Sequence, residues 1–187
     1  RLLLAYRQGI FPWYDETETP ILWHAPHQRF VISKADFRYG RSIRKLVKRN
    51  QYALTYDRDF NGVLSACSQV PRPNQTGTWL GAQMFEAYGR LYNVGYAHSA
   101  EAYTHAGDLV GGVYGVTIGR VFFGESMFSL EPGASKIIFA ELAPQLFDLG
   151  YVLIDCQIHT EHLKRFGGQQ MAAGRFRQAL QAAVSDT

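Results

Sequence analysis

The sequence predicts an α+β fold in which helices cover a mixed β-sheet. Two β-rich runs, 109–118 and 121–128, flank Gly119 and Arg120, a pattern typical of an antiparallel hairpin. A helix, an apolar strand and a short helix are then indicated between residues 135 and 166, which is the order of a βαβ unit. With 187 residues, 47% of them hydrophobic, the chain is long enough to bury a core.

The individual elements follow from hydrophobic spacing and from turn residues. The first 30 residues are dense in aromatic residues and proline, so we expect an irregular N-terminal subdomain over 1–31 and a larger domain over 32–187. Period-two and period-3.6 patterns then predict, in chain order, a strand at 29–33, a helix at 41–50, a strand at 52–56, helices at 59–68 and 80–91, the hairpin 109–128, a helix at 135–149, a strand at 151–157 and a short helix at 160–166.

Composition limits the classes of function. The formal net charge of +3 permits a polyanionic partner without requiring one. Cys67 and Cys156 stand in apolar surroundings without metal-ligand spacing, which favours a reducing cytoplasm. No apolar run reaches the roughly 20 residues of a membrane-spanning helix. Because the first residue is Arg1, we expect the natural start of the protein to be missing.

Three polar residues are candidates for a site. Glu125 lies inside the apolar run 121–129, where a carboxylate is costly without a partner. Asp155 and Gln157 are two apart in the predicted strand 151–157, so their side chains should emerge together near its carboxyl end. An internal ion pair for Glu125 and local capping by Asp155 and Gln157 are the structural alternatives. Together, the three residues predict a polar cluster at an apolar pocket that suits an apolar side chain beside a cationic group.

Basic and aromatic residues raise the possibility of RNA binding. The predicted helix 41–50 carries a run of cations preceded by another, and these are Arg38, Arg41, Arg44, Lys45, Lys48 and Arg49. Such a run follows a phosphate backbone or is simply a solvated helix face. Trp79 follows a flexible loop, where it either stacks on a base or anchors its helix in the core. No zinc-type spacing, phosphate-binding loop or dinucleotide motif is present.

Six separated motifs resemble one family, the leucyl/phenylalanyl-tRNA protein transferases. They are Ala5 to Trp13, Thr78-Trp79, Ala97-His98-Ser99, Leu109 to Gly115, Gly124 to Ser129 with Ala134-Ser135-Lys136, and Leu153 to Gln157. The resemblance covers nearly the whole chain. It implies an N-acetyltransferase-like C-terminal domain, a small irregular N-terminal domain, and neither acyl-CoA nor any other cofactor or metal. It also implies transfer of leucine, phenylalanine or methionine from aminoacyl-tRNA to the N-terminal Arg or Lys of a protein, which marks that protein for degradation.

The same resemblance assigns roles to residues. It implies that Asp155 orients and polarises Gln157, that Gln157 receives or relays the proton of the attacking amine, and that Glu125 helps to hold the amine or the incoming basic residue. The remaining assignments are substrate binding by Trp79, Phe123, Ser126, Met127 and Ile154, and tRNA binding by Arg38, Arg41, Arg44, Lys45 and Lys48. We expect a cytoplasmic monomer without a membrane partner.

The chain departs from the family pattern at three places. Gln28 stands where the family usually has a proline, Met171-Ala172-Ala173 replaces an Ile-Pro-Arg-like element, and Tyr103 stands where a tryptophan is usual. Two other classes of function are alternatives. An acyl-CoA-dependent N-acyltransferase would show a glycine-rich pyrophosphate loop, which residues 130–136 do not match. A non-catalytic RNA-binding module gives no reason for Glu125, Asp155 and Gln157 to converge.

Overall fold

A seven-stranded mixed sheet forms the centre of the structure, a computed structural model that describes residues 1–13, 21–69 and 81–185. In chain order the elements are α1 (Leu2–Arg7), β1 (Phe11–Pro12), β2 (Trp23–His24), β3 (Gln28–Ser33), α2 (Arg41–Lys48), β4 (Ala53–Tyr56), α3 (Phe60–Gln69), α4 (Ala82–Asn93), β5 (Ala97–Tyr103), β6 (Leu109–Ile118), β7 (Val121–Ser129), α5 (Ala134–Asp148), β8 (Leu153–Asp155), α6 (Glu161–Lys164), β9 (Gln169–Ala172) and α7 (Ala173–Ser185).

The sheet has the strand order β4-β5-β6-β7-β8-β3-β9. Strands β7 and β8 run parallel and are joined through α5, whereas the other neighbouring strands are antiparallel. The predicted α+β class with a mixed sheet is therefore confirmed. The predicted hairpin is the β6–β7 pair, and Gly119 has the φ of 54° that a tight turn between two strands needs.

Helices cover both faces of the sheet. Residues of α1, α3, α4 and α7 share one buried cluster, and residues of α2, α5 and α6 share a second cluster on the opposite face. Side chains of regular strand segments alternate between the two clusters, as a pleated strand requires; in β3, Phe30 and Ile32 belong to the second cluster and Val31 to the first. Thus Phe123 of β7 belongs to the first cluster and Phe122 to the second.

A β-bulge interrupts this alternation at Glu125. Gly115 pairs with Gly124, but the preceding residue of β6, Tyr114, pairs with Ser126, so Glu125 is the extra residue on β7. Bulges re-aim a side chain and reverse the alternation beyond them. Phe123 and Phe128 consequently lie in the same buried cluster although their numbers differ by five.

Three local predictions were wrong or incomplete. The N-terminal segment is not irregular throughout, because Leu2–Arg7 forms a helix before the first proline and β1 pairs with β2. Strand β8 ends at Asp155 instead of 157. Strand β9 and helix α7, which follow Gly168, were not predicted from the sequence. The division at residue 31 stays a prediction; β3 spans that position, and Tyr6 packs in the same cluster as residues of α3, α4 and α7.

No helix in the described part of the chain is both long and apolar enough to cross a membrane.

Candidate active site

An open cavity of about 430 Å³ lies along β7 and the segment that follows β8. Its apolar wall comes from β6, β7, β8 and α5 and includes Val113, Phe122, Met127, Phe128, Phe139 and Ile154. Its polar edge includes Glu125, Ser126, Ser129, Ser135, Gln157 and Thr160. An apolar wall with a few convergent polar groups is the usual composition of a small-molecule site.

Glu125 is the carboxylate at this edge, and three polar side chains stabilise it. Tyr88 of α4 donates its hydroxyl hydrogen to Oε2 at 2.8 Å, and the Nε2 amide of Gln157 donates to Oε1 at 2.8 Å. The hydroxyls of Tyr88 and Tyr6 share a further hydrogen bond of 2.8 Å. Burial raises the pKa of Glu125 to about 7, although the hydrogen bonds from Tyr88, Tyr6 and Gln157 act in the opposite direction. The carboxyl can therefore gain or lose a proton near neutral pH.

Tyr6 and Tyr88 remain protonated at neutral pH. Both side chains are fully buried, and burial, followed by the nearby charge of Glu125, raises the pKa of each phenol well above 10.0. They form a chain of hydroxyl groups that begins in α1, passes through α4 and ends at the carboxylate. The N-terminal helix is thus hydrogen-bonded, through Tyr88, to the cavity edge.

Asp155 lies behind the cavity, in a buried ion pair with Arg29. The Arg29 Nε donates to Oδ1 at 2.8 Å and Nη2 donates to Oδ2 at 2.6 Å, while Nη1 donates to the carbonyl oxygen of Gly9 at 3.0 Å. The rings of Phe11 and Phe176 cover the guanidinium, with centroids 4.5 Å and 4.8 Å from its central carbon. Asp155 and Arg29 are 0% and 1% exposed, so the pair is sealed from solvent.

Gln157 occupies a tight turn directly after β8. Its φ is 62°, a left-handed conformation that is costly for a residue with a side chain. The backbone N–H of Gln157 donates to Asp155 Oδ1 at 2.9 Å, which stabilises the turn, and the side chain reaches Glu125. The prediction that the Asp155 and Gln157 side chains emerge together was wrong for Asp155, because the strand ends there and its carboxylate faces Arg29.

Comparison with known proteins identifies the family to which this site belongs. The family model described as leucyl/phenylalanyl-tRNA protein transferase matches residues 31–181, and the model of that family's N-terminal domain matches residues 1–27. The chain belongs to the leucyl/phenylalanyl-tRNA protein transferase family. The resemblance predicted from six motifs is confirmed, and the chain is an aminoacyltransferase.

Two relatives described as leucyl/phenylalanyl-tRNA protein transferases match nearly the whole length of this chain. The protein from Myxococcus xanthus (strain DK1622) is 52% identical over 186 residues, which is 100% of this chain and 79% of the relative. The protein from Saccharophagus degradans is 47% identical over 184 residues, which is 98% of this chain and 74% of the relative. The crystal structure of FemX aligns with a TM-score of 0.60 at 10% identity, covering 90% of this chain and 65% of that one. This likeness concerns the fold alone, and it confirms the N-acetyltransferase-like architecture.

Most of the donor-pocket residues predicted for the transferase line the cavity. Ser126, Met127 and Ile154 do so, together with Glu125 and Gln157. Phe123 does not: it is 0% exposed and packs against Tyr6, with ring centroids 5.1 Å apart. Its neighbour Phe122 lines the cavity instead, because adjacent residues of β7 face opposite sides of the sheet.

Trp79 lies outside the described residues. A different tryptophan, Trp13, contributes to the cavity rim beside Pro12. Its ring is 41% exposed and stacks on Phe11 with a centroid distance of 6.5 Å. An exposed, braced aromatic face of this kind is able to stack on a nucleobase.

The predicted tRNA-binding cations form an exposed face. Helix α2 packs through Ile43, which is buried, and its cations point outward. The exposed cations are Arg38, Arg41, Arg44, Lys45 and Lys48. Leu46 packs beside Gly133 at the start of α5, two residues from Ser135 of the cavity edge. The basic helix therefore flanks the cavity.

Five residues of the site were not predicted from the sequence, namely Tyr6, Tyr88, Arg29, Trp13 and Phe122. Tyr6 and Trp13 belong to the first family motif, so that motif was the available signal for them. Arg29 binds Asp155, 126 residues away in sequence, and Tyr88 binds Glu125, 37 residues away. No local sequence pattern predicts such contacts. Among the described residues, no three His, Cys, Asp or Glu side chains are grouped to hold a metal ion.

Proposed function

We propose that this transferase moves leucine, phenylalanine or methionine from aminoacyl-tRNA to the N-terminal Arg or Lys of a protein, and so marks that protein for degradation. The observation that carries the proposal is the hydrogen bond between Glu125 and Gln157 at the polar edge of an apolar cavity. The apolar wall suits the donor side chain. The polar pair suits the α-amino group of the acceptor.

In the reaction, the α-amine of the acceptor attacks the carbonyl carbon of the aminoacyl ester, the new C–N bond forms, and the bond from that carbon to the ribose oxygen breaks. The amine must first lose a proton, and its pKa in a free chain is about 7.7 to 8.0. Glu125, with a pKa raised to about 7, is close enough in basicity to accept that proton. The proton then neutralises the departing ribose oxygen.

Gln157 acts in this proposal by position. Because its Nε2 donates to Glu125, its amide orientation is fixed and its carbonyl oxygen is available to accept an N–H of the acceptor amine. Asp155 and Arg29 are positioning residues, since they hold the left-handed turn and do not line the cavity. Ordering the ester and the amine at one place supplies much of the rate.

The donor side chain enters the apolar wall formed by Phe122, Met127 and Ile154. Such a wall discriminates by volume and apolarity, and one methylene is worth only about 1 to 3 kcal/mol, so three apolar amino acids are accepted. Trp13 stacks on the terminal base of the tRNA, and the exposed face of α2 contacts its phosphates. Because aminoacyl-tRNA is a cytoplasmic molecule, we assign the reaction to the cytoplasm, and we assign one chain to each site.

The deciding experiment supplies leucyl-tRNA with a labelled leucine to peptides that begin with Arg, Lys or Ala, and to an Arg peptide whose amine is acetylated. We expect label on the free Arg and Lys peptides alone. Label on the Ala peptide would overturn the acceptor assignment. Transfer from leucyl-CoA in place of leucyl-tRNA would overturn the donor assignment.

A further inference from the structure

Four glycines lie in the paired strands β6 and β7, where glycine weakens a strand. Three of them are required by packing. A Cβ at Gly111 would lie 2.7 Å from the Cβ of Ala134, one at Gly112 would lie 2.6 Å from the Phe128 ring, and one at Gly115 would lie 2.4 Å from the Phe122 ring. No side chain fits at these positions without a shift of the neighbours.

Gly124 is different. Among the described residues, the nearest atoms to its added Cβ would be the carbonyl oxygen of Asp155 at 3.6 Å and Phe122 Cε1 at 3.9 Å, which are ordinary van der Waals distances. Its φ is not in the left-handed region, in contrast to Gly119 at 54°. Neither crowding by these residues nor backbone conformation therefore accounts for glycine at this position.

The position of Gly124 indicates what its missing side chain provides. Gly124 lines the cavity on the same face as Phe122 and immediately precedes Glu125, whose carboxylate contacts Gln157. The space above its Cα is thus the place where the polar edge and the apolar wall meet. A strand glycine marks either a bulge or a site where a ligand approaches the backbone closely. The extra residue of the bulge is Glu125, whereas Gly124 keeps its regular pairing with Gly115, so the open space above Gly124 points to a ligand.

We propose that Gly124 is a donor-contact residue, and that the planar aminoacyl ester lies directly against its Cα. This inference rests on the proposed function. The ester carbon then lies beside Glu125 and Gln157, and the donor side chain extends toward Met127 and Ile154. Because every donor carries the same ester, a side chain at position 124 obstructs leucyl, phenylalanyl and methionyl donors alike.

The test compares Gly124→Ala with wild type and with Gly89→Ala, a matched control in α4 whose added Cβ has no described neighbour within 4 Å. Stable probes are the 3′-amide analogues of leucyl-adenosine and phenylalanyl-adenosine, whose binding is measured by titration calorimetry. We expect Gly124→Ala to keep the wild-type melting temperature and to bind both analogues about tenfold more weakly or worse, by the same factor. Gly89→Ala should bind both like wild type.

Three outcomes overturn the inference. Wild-type affinity of Gly124→Ala would show that no ligand occupies the space above Gly124. A loss for the phenylalanyl analogue alone would place the donor side chain there in place of the ester. An unfolded Gly124→Ala would show that packing requires the glycine after all. If wild type transfers leucine and Gly124→Ala binds both analogues as tightly as wild type, only this inference fails. If wild type neither binds the analogues nor transfers leucine, the proposed function fails as well.

Discussion

Asp155 holds the backbone of Gln157 and not its side-chain amide. The carboxylate accepts the Gln157 backbone N–H at 2.9 Å, whereas the amide of Gln157 donates to Glu125 at 2.8 Å. The charge of Asp155 is already balanced by the buried guanidinium of Arg29. Asp155 therefore fixes the turn that presents Gln157, and its removal should act first on the fold.

We expect Asp155→Asn to destabilise the protein by about 3 to 5 kcal/mol, because it leaves the Arg29 guanidinium buried without a counter-charge. Urea denaturation measures this loss. The matched control is Asp148→Asn, which removes an exposed ion pair to Lys34 and should cost less than about 1 kcal/mol. A folded Asp155→Asn of wild-type stability that had lost all transfer would instead indicate direct catalysis by the carboxylate.

The left-handed turn at Gln157 predicts a difference between two truncations. Gln157→Gly and Gln157→Ala both remove the amide that donates to Glu125, so both should reduce transfer by at least about tenfold. Alanine is strained at a φ of 62° and glycine is not, so the glycine variant should be more stable by roughly 1 kcal/mol. Equal stability in urea denaturation would show that the turn relaxes when the side chain is removed.

Local sequence patterns predicted the helices and strands, but not which side chains of a strand face the cavity. The hairpin, the helix before β8 and the apolar run around Glu125 are encoded within short segments, so the sequence was sufficient for them. Phe123 was assigned to the cavity as an apolar neighbour of Glu125, but it faces the opposite side of β7 from Phe122, and the bulge at Glu125 could not be predicted from the sequence. Gln157 was placed in a strand because glutamine gives no signal for a left-handed turn.

Long-range contacts account for the rest of what was missed. Arg29 and Asp155 are 126 residues apart, and Tyr6 and Tyr88 are 82 apart. Taken alone in the sequence, each partner resembles an ordinary charged or aromatic residue. Only the packing of β3 against β8, and of α1 beside α4, makes them parts of one site.

The raised pKa of Glu125 predicts how stability depends on pH. The folded carboxyl keeps its proton up to about pH 7, whereas in the unfolded chain it loses the proton near 4.5. Its stabilising contribution is therefore fully present below about pH 4.5 and is lost as the pH rises through about 7. Glu125→Gln lacks this dependence, so wild type should lose on the order of 2 to 3 kcal/mol relative to the variant between pH 5 and pH 8. The free energies of unfolding are measured by urea denaturation. An equal difference between wild type and Glu125→Gln at pH 5 and pH 8 would contradict the burial of this carboxyl.

The exposed cations of α2 should contribute to the salt dependence of tRNA binding and hardly at all to the stability of the fold. A triple variant in which glutamine replaces Arg41, Arg44 and Lys45 should differ from wild type in unfolding free energy by less than about 0.5 kcal/mol per site. The slope of log K against log salt for tRNA should fall by roughly 0.7 to 0.9 for each cation that contacts a phosphate. The control is Arg90→Gln on α4, which removes an exposed cation paired with Glu86. An unchanged slope in the triple variant would place the tRNA elsewhere.

Tyr88→Phe tests whether the hydroxyl chain tunes the reacting carboxylate. The hydrogen bond from Tyr88 lowers the pKa of Glu125, so its loss should raise that pKa from about 7 and move the rising limb of the pH–rate profile to higher pH. The control is Tyr92→Phe on the same helix, since Tyr92 donates to the carbonyl oxygen of Asp57 at 2.9 Å. Each change removes one hydroxyl and should cost about 1 kcal/mol. Only Tyr88→Phe should shift the profile; equal profiles in both variants would mean that Tyr88 serves packing alone and that Glu125 does not carry the proton of the acceptor amine.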